Sequence, residues 1–250
     1  MRRYAILTAV LLAATAQAFA QGKQPKVKSK SEATAVQAVI QAPDPAARIK
    51  AADDLITKFA DTEFKSYALY LEADAYLQMG NNEKVIVYGE QSLDADAKNY
   101  QASVLLARTY ATTTKSNDLD KAEKLGKITK YANDALEALK TVEKPNPQLP
   151  DADWTASKND MAGQCYFALG VAAAYSNKMD EVAADFQKTA DMDGDPTDLI
   201  RAGRVLLDIK KYEQAITWFD KAANHPAANA QVKDIAAKDK ARAQAMLPKK

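Results

Sequence analysis

Residues 199–226 read LIRAGRVLLDIKKYEQAITWFDKAANHP, and they decide the fold. Leu199, Gly203 and Leu206 fall at helical steps in the first half, and Tyr212, Ala215, Trp218, Phe219 and Ala222 do so in the second, before Pro226 ends the run. The pattern has an earlier copy: Gly170, Met179, Val182, Phe186 and Lys188 stand 33 residues before Gly203, Tyr212, Ala215, Phe219 and Lys221. In the first half of the chain, Ala73 and Tyr76 return 34 residues later as Ala107 and Tyr110. A fixed period of this size denotes stacked helix pairs. Each pair buries its apolar face only against its neighbours, so the expected product is an all-α, curved solenoid whose surfaces hold other molecules.

Helices that pack closely need small residues where their axes approach, and Ala73, Ala107, Gly170 and Gly203 meet that need. Tyr76, Tyr110, Phe186 and Phe219 then fill the space between hairpins, so the aromatic stripe reads as core. These residues resemble the tetratricopeptide repeat, in which a small residue, an aromatic three later and a turn glycine precede alanine, aromatic and alanine. Residues 199–226 match best. The copy from Tyr67 to Asn99 has Leu69, Ala73, Tyr76, Gly80, Val85 and Tyr88, but Gly89 stands where the family prefers an aromatic. The copy from Tyr100 has Leu106, Ala107 and Tyr110, then gains about three residues between Thr112 and Leu119. The copy from Tyr166 to Asp195 carries Leu169, Gly170, Val182 and Phe186, with Ala173 in the usual aromatic place.

The resemblance implies a right-handed α-solenoid of antiparallel helix hairpins, a tetratricopeptide-like superhelix whose first helices line a concave face. On that face the family's peptide-holding positions map onto Tyr70, Asp74, Arg108, Phe167, Arg204 and Asp208. Members that grip a C-terminal carboxylate use lysine and asparagine at places that here hold Tyr70, Asp74, Leu105, Gln164 and Ala168, so that clamp is not supported. Apolar anchors flanked by arginines and acids suit a helix or an extended segment laid into the groove.

Other parts of the chain frame this reading. Arg2 and Arg3 precede an apolar run from Tyr4 to Ala14, and Ala16-Gln17-Ala18 and Ala18-Phe19-Ala20 each supply a small-x-small cleavage pattern. Residues 1–20 therefore read as a secretory signal peptide, with an uncleaved anchor as the other reading; the chain is expected to be exported, to a periplasm or beyond. Lys23, Lys26, Lys28 and Lys30 mark residues 21–31 as a flexible linker, either a solvated spacer or a weak attraction to anionic surfaces. Residues 32–64 form two helices of a degenerate hairpin around Pro43-Asp44-Pro45. Repeats follow at 65–140, with one long helix from Asp118 to Thr141, and at 154–226. Between them, Pro145, Pro147 and Pro150 define a loop at 141–153, with Asp151 or Asp153 capping the helix entered by Trp154. This insert is either a partner-specific protrusion or a joint. Residues 227–250 read as a polar capping helix and tail.

Catalytic constellations are missing from the sequence. His225 is the single histidine and Cys165 the single cysteine, so a histidine pair, a zinc cluster or an internal disulfide cannot be assembled. Cys165, beside Tyr166 and Phe167, reads as a buried small hydrophobe, and His225 as a helix-end residue. The acidic run from Asp191 to Asp198 fails as a calcium loop, since Pro196 and Ala202 stand at the sixth and twelfth positions; Asp195 or Thr197 is expected to cap a helix. With 34 basic and 33 acidic residues interspersed, nucleic acid is not the expected partner. The expectation is a non-enzymatic scaffold, without metal or cofactor, that binds a protein or peptide, with a self-associating module as the alternative.

Overall fold

The computed structural model describes residues 25–192 and 195–248, so the segment read as a signal peptide lies outside it. Among the described residues there are eleven helices: α1 (Lys30–Ile40), α2 (Pro45–Lys58), α3 (Lys65–Gln78), α4 (Asn82–Ala95), α5 (Tyr100–Thr113), α6 (Lys121–Thr141), α7 (Asp151–Tyr175), α8 (Met179–Met192), α9 (Pro196–Asp208), α10 (Tyr212–Asn224) and α11 (Ala230–Ala245). Many starts are written locally. Ser29, Asp44, Asn81, Asn99, Asp195 and Asn229 each accept a main-chain N–H from two or three residues into the helix they open. Pro45 and Pro196 follow two of these caps at the first helical position, where a missing N–H costs nothing.

Three hairpins share one turn. Gly80, Asn177 and Lys210 adopt φ of 73°, 58° and 62° just past α3, α7 and α9. The next residue then bonds back into the helix, Asn81 N to Tyr76 O at 2.9 Å, Lys178 N to Ala173 O at 2.9 Å and Lys211 N to Leu206 O at 2.8 Å. This left-handed cap reverses the chain at once and lays the second helix antiparallel on the first.

The helices form two layers. The odd-numbered members α3, α5, α7, α9 and α11 pack on one another in series, whereas successive even-numbered helices make at most marginal contact with each other. A layer with short spacing beside a layer with long spacing must curve, so the odd helices line the concave side. Inside each hairpin the approach is close. A Cβ placed on Gly203 would lie 2.5 Å from the Phe219 ring, and one on Gly170 would lie 2.4 Å from the Phe186 ring. At Gly89, the departure from the family pattern, a Cβ would lie 2.8 Å from Leu106. Helix α4 therefore approaches α5 through a glycine where an aromatic would not fit.

One large core runs from Val104 to Ala243, and a separate cluster of Val36, Val39, Ala52, Leu55, Phe64 and Ala68 holds the N-terminal hairpin. Polar groups join the third, fourth and fifth helices. The hydroxyls of Ser66 and Ser92 each donate to the other residue's carbonyl, at 2.9 and 2.8 Å, and the Asn99 amide donates to both hydroxyls. Every member of that network is satisfied, which makes it specific to one register.

Several local expectations change. Residues 25–29 of the lysine-rich linker are pinned rather than loose: Lys28 Nζ bonds Asp61 Oδ2 at 2.7 Å and Asp61 O at 2.6 Å, and the Lys26 amide donates to Glu63. The long helix starts at Lys121, because Asp118 instead accepts from the Lys115 amide and pairs with Lys124 at 2.8 Å. Neither Asp151 nor Asp153 caps α7, which follows Pro150 with no side-chain cap bond; Asp151 pairs with Lys144 at 2.6 Å. Trp154 is buried with Tyr100, Leu139 and Val142, so the extra turns of α6 and α7 close on a small core of their own. Cys165 is fully buried, which pushes its thiol up to about 12, and His225 Nδ1 accepts from the Ala227 amide at a helix end.

Two measurements check this packing. Gly203→Leu should lower unfolding free energy by about 1–3 kcal/mol through overpacking. Gly126 lies mid-helix in open space, so Gly126→Ala should raise it by about 0.5–1 kcal/mol in the same urea titration. The second concerns pH. Glu72 on α3 is wholly buried, and neither carboxyl oxygen has a hydrogen-bond partner. Burial, helped by the charge of Asp53, pushes its pKa from the ordinary 4.5 to about 7, while Tyr88 and Lys84 pull the other way. The folded chain thus keeps this proton at pH values where the unfolded chain has lost it. Stability should fall as pH rises from about 4.5 through 7, and Glu72→Gln should flatten that slope in melting curves.

Candidate partner-binding groove

The concave layer carries a cavity of about 310 Å³ where α5, α7 and α9 meet. Ala111, Thr112 and Thr114 form one wall, Phe167 and Tyr175 the floor, and Arg201, Arg204 and Val205 the other wall. Residues 201, 204, 205 and 208 share a face of α9 because they follow its three- and four-residue steps.

Ion pairs set the charge here. Asp198 is fully buried, and its Oδ1 accepts from Arg108 Nη2 of α5 at 2.9 Å and from Arg201 Nη1, one turn along α9. Arg201 Nη1 also donates to Thr197 Oγ1 at 3.1 Å. Arg204 Nε pairs with Asp239 of α11 at 2.7 Å, and 54% of the Arg204 side chain stays exposed. At the C-terminal end of α9, Asp208 Oδ2 accepts from the Tyr175 hydroxyl at 3.1 Å and from the Ser116 amide at 3.3 Å. Burial raises the Tyr175 pKa, and the neighbouring Asp208 carboxylate raises it further.

The residues expected to hold a partner are thus split. Phe167 and Arg204 line the cavity, and Arg108 and Asp208 flank it. Phe167 is 1% exposed and stacks on Phe186 at 6.1 Å, so it acts as floor rather than as a free contact. Tyr70 and Asp74 lie elsewhere on α3. Tyr70 packs beside Ile49 and Tyr88 on the cluster of Ala73, Tyr76, Val85 and Leu105, with its ring 6.1 Å from Tyr67. Asp74 accepts from the Gln78 amide at 2.7 Å and faces Arg48 at 3.8 Å; burial raises its pKa, and these two partners offset part of the rise.

Sequence reasoning missed Arg201, Tyr175, Val205 and the threonines. Arg201 was findable, since it lies three before Arg204 and seven before Asp208. The arrangement is suited to holding a chain: guanidinium donors on one wall, hydroxyls on the other and an aromatic floor. Among the described residues no group of three histidine, cysteine or acidic side chains could hold a metal ion, and no helix is long and apolar enough to cross a membrane.

Arg108 bridges α5 to α9 past the intervening α7, so its charge is committed to structure. Arg108→Ala should therefore cost about 1–2 kcal/mol in chemical denaturation, since a hydrogen bond to a buried carboxylate is lost. Arg204→Ala, losing a half-exposed pair, should cost less than about 1 kcal/mol.

No protein-family model and no curated protein matches the chain. Among solved structures, it is similar to the crystal structure of a thermophilic TPR protein from Thermus thermophilus, with a TM-score of 0.52 and 13% sequence identity. The likeness covers 83% of this chain and 98% of the other. Odd helices in series, left-handed hairpin caps, glycine crossings and this match together define the fold as a tetratricopeptide-type α-solenoid.

Proposed function

We propose that this chain is a non-catalytic, exported scaffold that binds a protein or peptide partner through the concave layer of its solenoid, at the cavity between α5, α7 and α9. The observation that carries the reading is the cavity itself. Its arginines stand on α9 and its threonines at the end of α5, beside the aromatic floor of Phe167, an arrangement suited to recognising an extended chain by shape and hydrogen bonds. Export is supported by the sequence of residues 2–20, and a role in envelope assembly is an analogy drawn from the fold. The alternative is a self-associating module; the insert lends it no exposed aromatic, since Trp154 packs with Tyr100, Leu139 and Val142 of its own chain.

Thr112 is exposed at the cavity wall, so Thr112→Trp should fill the cavity without disturbing the core. With immobilised protein and envelope extract, wild type should retain a partner that Thr112→Trp loses. Equal capture by both would remove the cavity from the interface. Recovery of the protein alone, with a molecular weight by light scattering that rises with concentration, would favour self-association instead.

A further inference from the structure

Hydrogen-bond accounting within the cavity specifies the chemistry of what it holds. We infer that the cavity between α5, α7 and α9 is an anchor point for one acidic side chain, an aspartate or glutamate carried by an extended partner segment. The inference rests on the groove being the partner's seat. An arginine offers five N–H donors in a planar fork. Arg204 uses only Nε, on Asp239, which leaves both Nη groups unspent. Arg201 uses only Nη1, on Thr197 and Asp198, which leaves Nε and Nη2. Both side chains line the cavity and are reachable, at 39% and 54% exposure.

The opposite wall has the complementary deficit. Thr112 Oγ1 donates to Arg108 O at 2.9 Å, and Thr114 Oγ1 donates to Tyr110 O at 2.7 Å. Both hydroxyl hydrogens are spent; Thr114 is buried, whereas exposed Thr112 keeps lone pairs that can accept a main-chain N–H of a bound segment. One wall thus seeks acceptors and the other seeks donors, with apolar Ala111, Phe167 and Val205 between them to exclude water.

Charge points the same way. Arg108 and Arg201 share one oxygen of Asp198, so two cations meet a single carboxylate, while Arg204 and Asp239 balance each other. The middle of α9 is left with a positive surplus. Asp208 lies seven residues, about 10 Å, further along α9 and makes that end negative. A carboxylate is therefore drawn to the Arg201–Arg204 end. The cavity sits within the concave layer, with α3 on one side and α11 on the other, so a chain laid along it continues past in both directions. That geometry selects a side-chain carboxylate over a chain terminus.

The test is a titration of isotope-labelled full-length protein, read at the arginine Nε–H signals, with three small probes: N-acetylglutamate N′-methylamide, the corresponding glutamine amide, and N-acetylleucine, whose carboxylate is terminal. The glutamate probe should shift the Arg201 and Arg204 signals saturably, at least about tenfold more tightly than the glutamine probe. Arg204→Gln, which leaves the buried Asp198 pairs in place, should weaken the glutamate probe by a similar factor, and Arg204→Lys should restore part of it. Equal binding of the glutamine probe, or no shift at these arginines, would overturn the inference. Tighter binding of N-acetylleucine would assign the site to a chain end and overturn the side-chain assignment. The two readings fail separately: a captured partner that survives Arg204→Gln but not Thr112→Trp would keep the groove and discard the acidic anchor, whereas equal capture by wild type and Thr112→Trp would discard the groove itself.

Discussion

The close approach of two helices in each hairpin is the constraint on which the rest depends. At Gly170 and Gly203 the inner helix offers a hydrogen where other residues carry a carbon, and the ring of Phe186 or Phe219 lies directly over it. Because both rings are fully buried, they also form the floor against which the next hairpin packs. Phe167 stacks on Phe186, and Trp218 meets Phe186 edge-on at 5.6 Å. Thus one small residue per hairpin sets the spacing inside the repeat, and the ring above it transmits that spacing to the next. Curvature, and with it the concave groove, follows from the inner layer being packed in series while the outer helices stand apart.

Charge works within this frame rather than creating it. The Arg108–Asp198 pair cannot drive the stacking, since its gain is offset by the desolvation of a wholly buried carboxylate. It selects how α5 and α9 sit once the apolar faces have brought them together. The buried Glu72 is the contrasting case, a carboxyl enclosed by packing whose burial Tyr88 and Lys84 offset only in part, and its proton is held for that reason. The network of Ser66, Ser92 and Asn99 shows the third outcome, burial with every donor and acceptor matched.

Features confined to one helix or one turn were legible in the sequence. The period joining Gly170 to Gly203 and Phe186 to Phe219 placed the hairpins, and Asp195 capped its helix as expected, because these depend on residues a few positions apart. Long-range partners were not legible. Nothing local to Lys28 signals Asp61, and nothing near Arg108 signals Asp198, ninety residues away. The candidate site suffered most from this. Its residues were drawn from one helical face, yet whether such a face is open or sealed is decided by neighbours that the period does not specify, and Tyr70 and Phe167 proved to be packed. Asp151 misled for a related reason, being engaged by Lys144 instead of by its own helix.

A solenoid whose repeats touch only their neighbours can lengthen like a spring, each junction yielding on its own. Arg108 departs from that scheme by reaching over α7 to α9, so the stretch from α5 to α9 is braced like a truss, with a diagonal as well as its rungs. The junction of α3 and α4 with α5 has rungs alone, the Gly89–Leu106 approach and the Ser66–Ser92–Asn99 network. Under tension such a junction yields by itself, whereas the groove beside Arg204 keeps its shape because Arg108 ties the helices of its two walls.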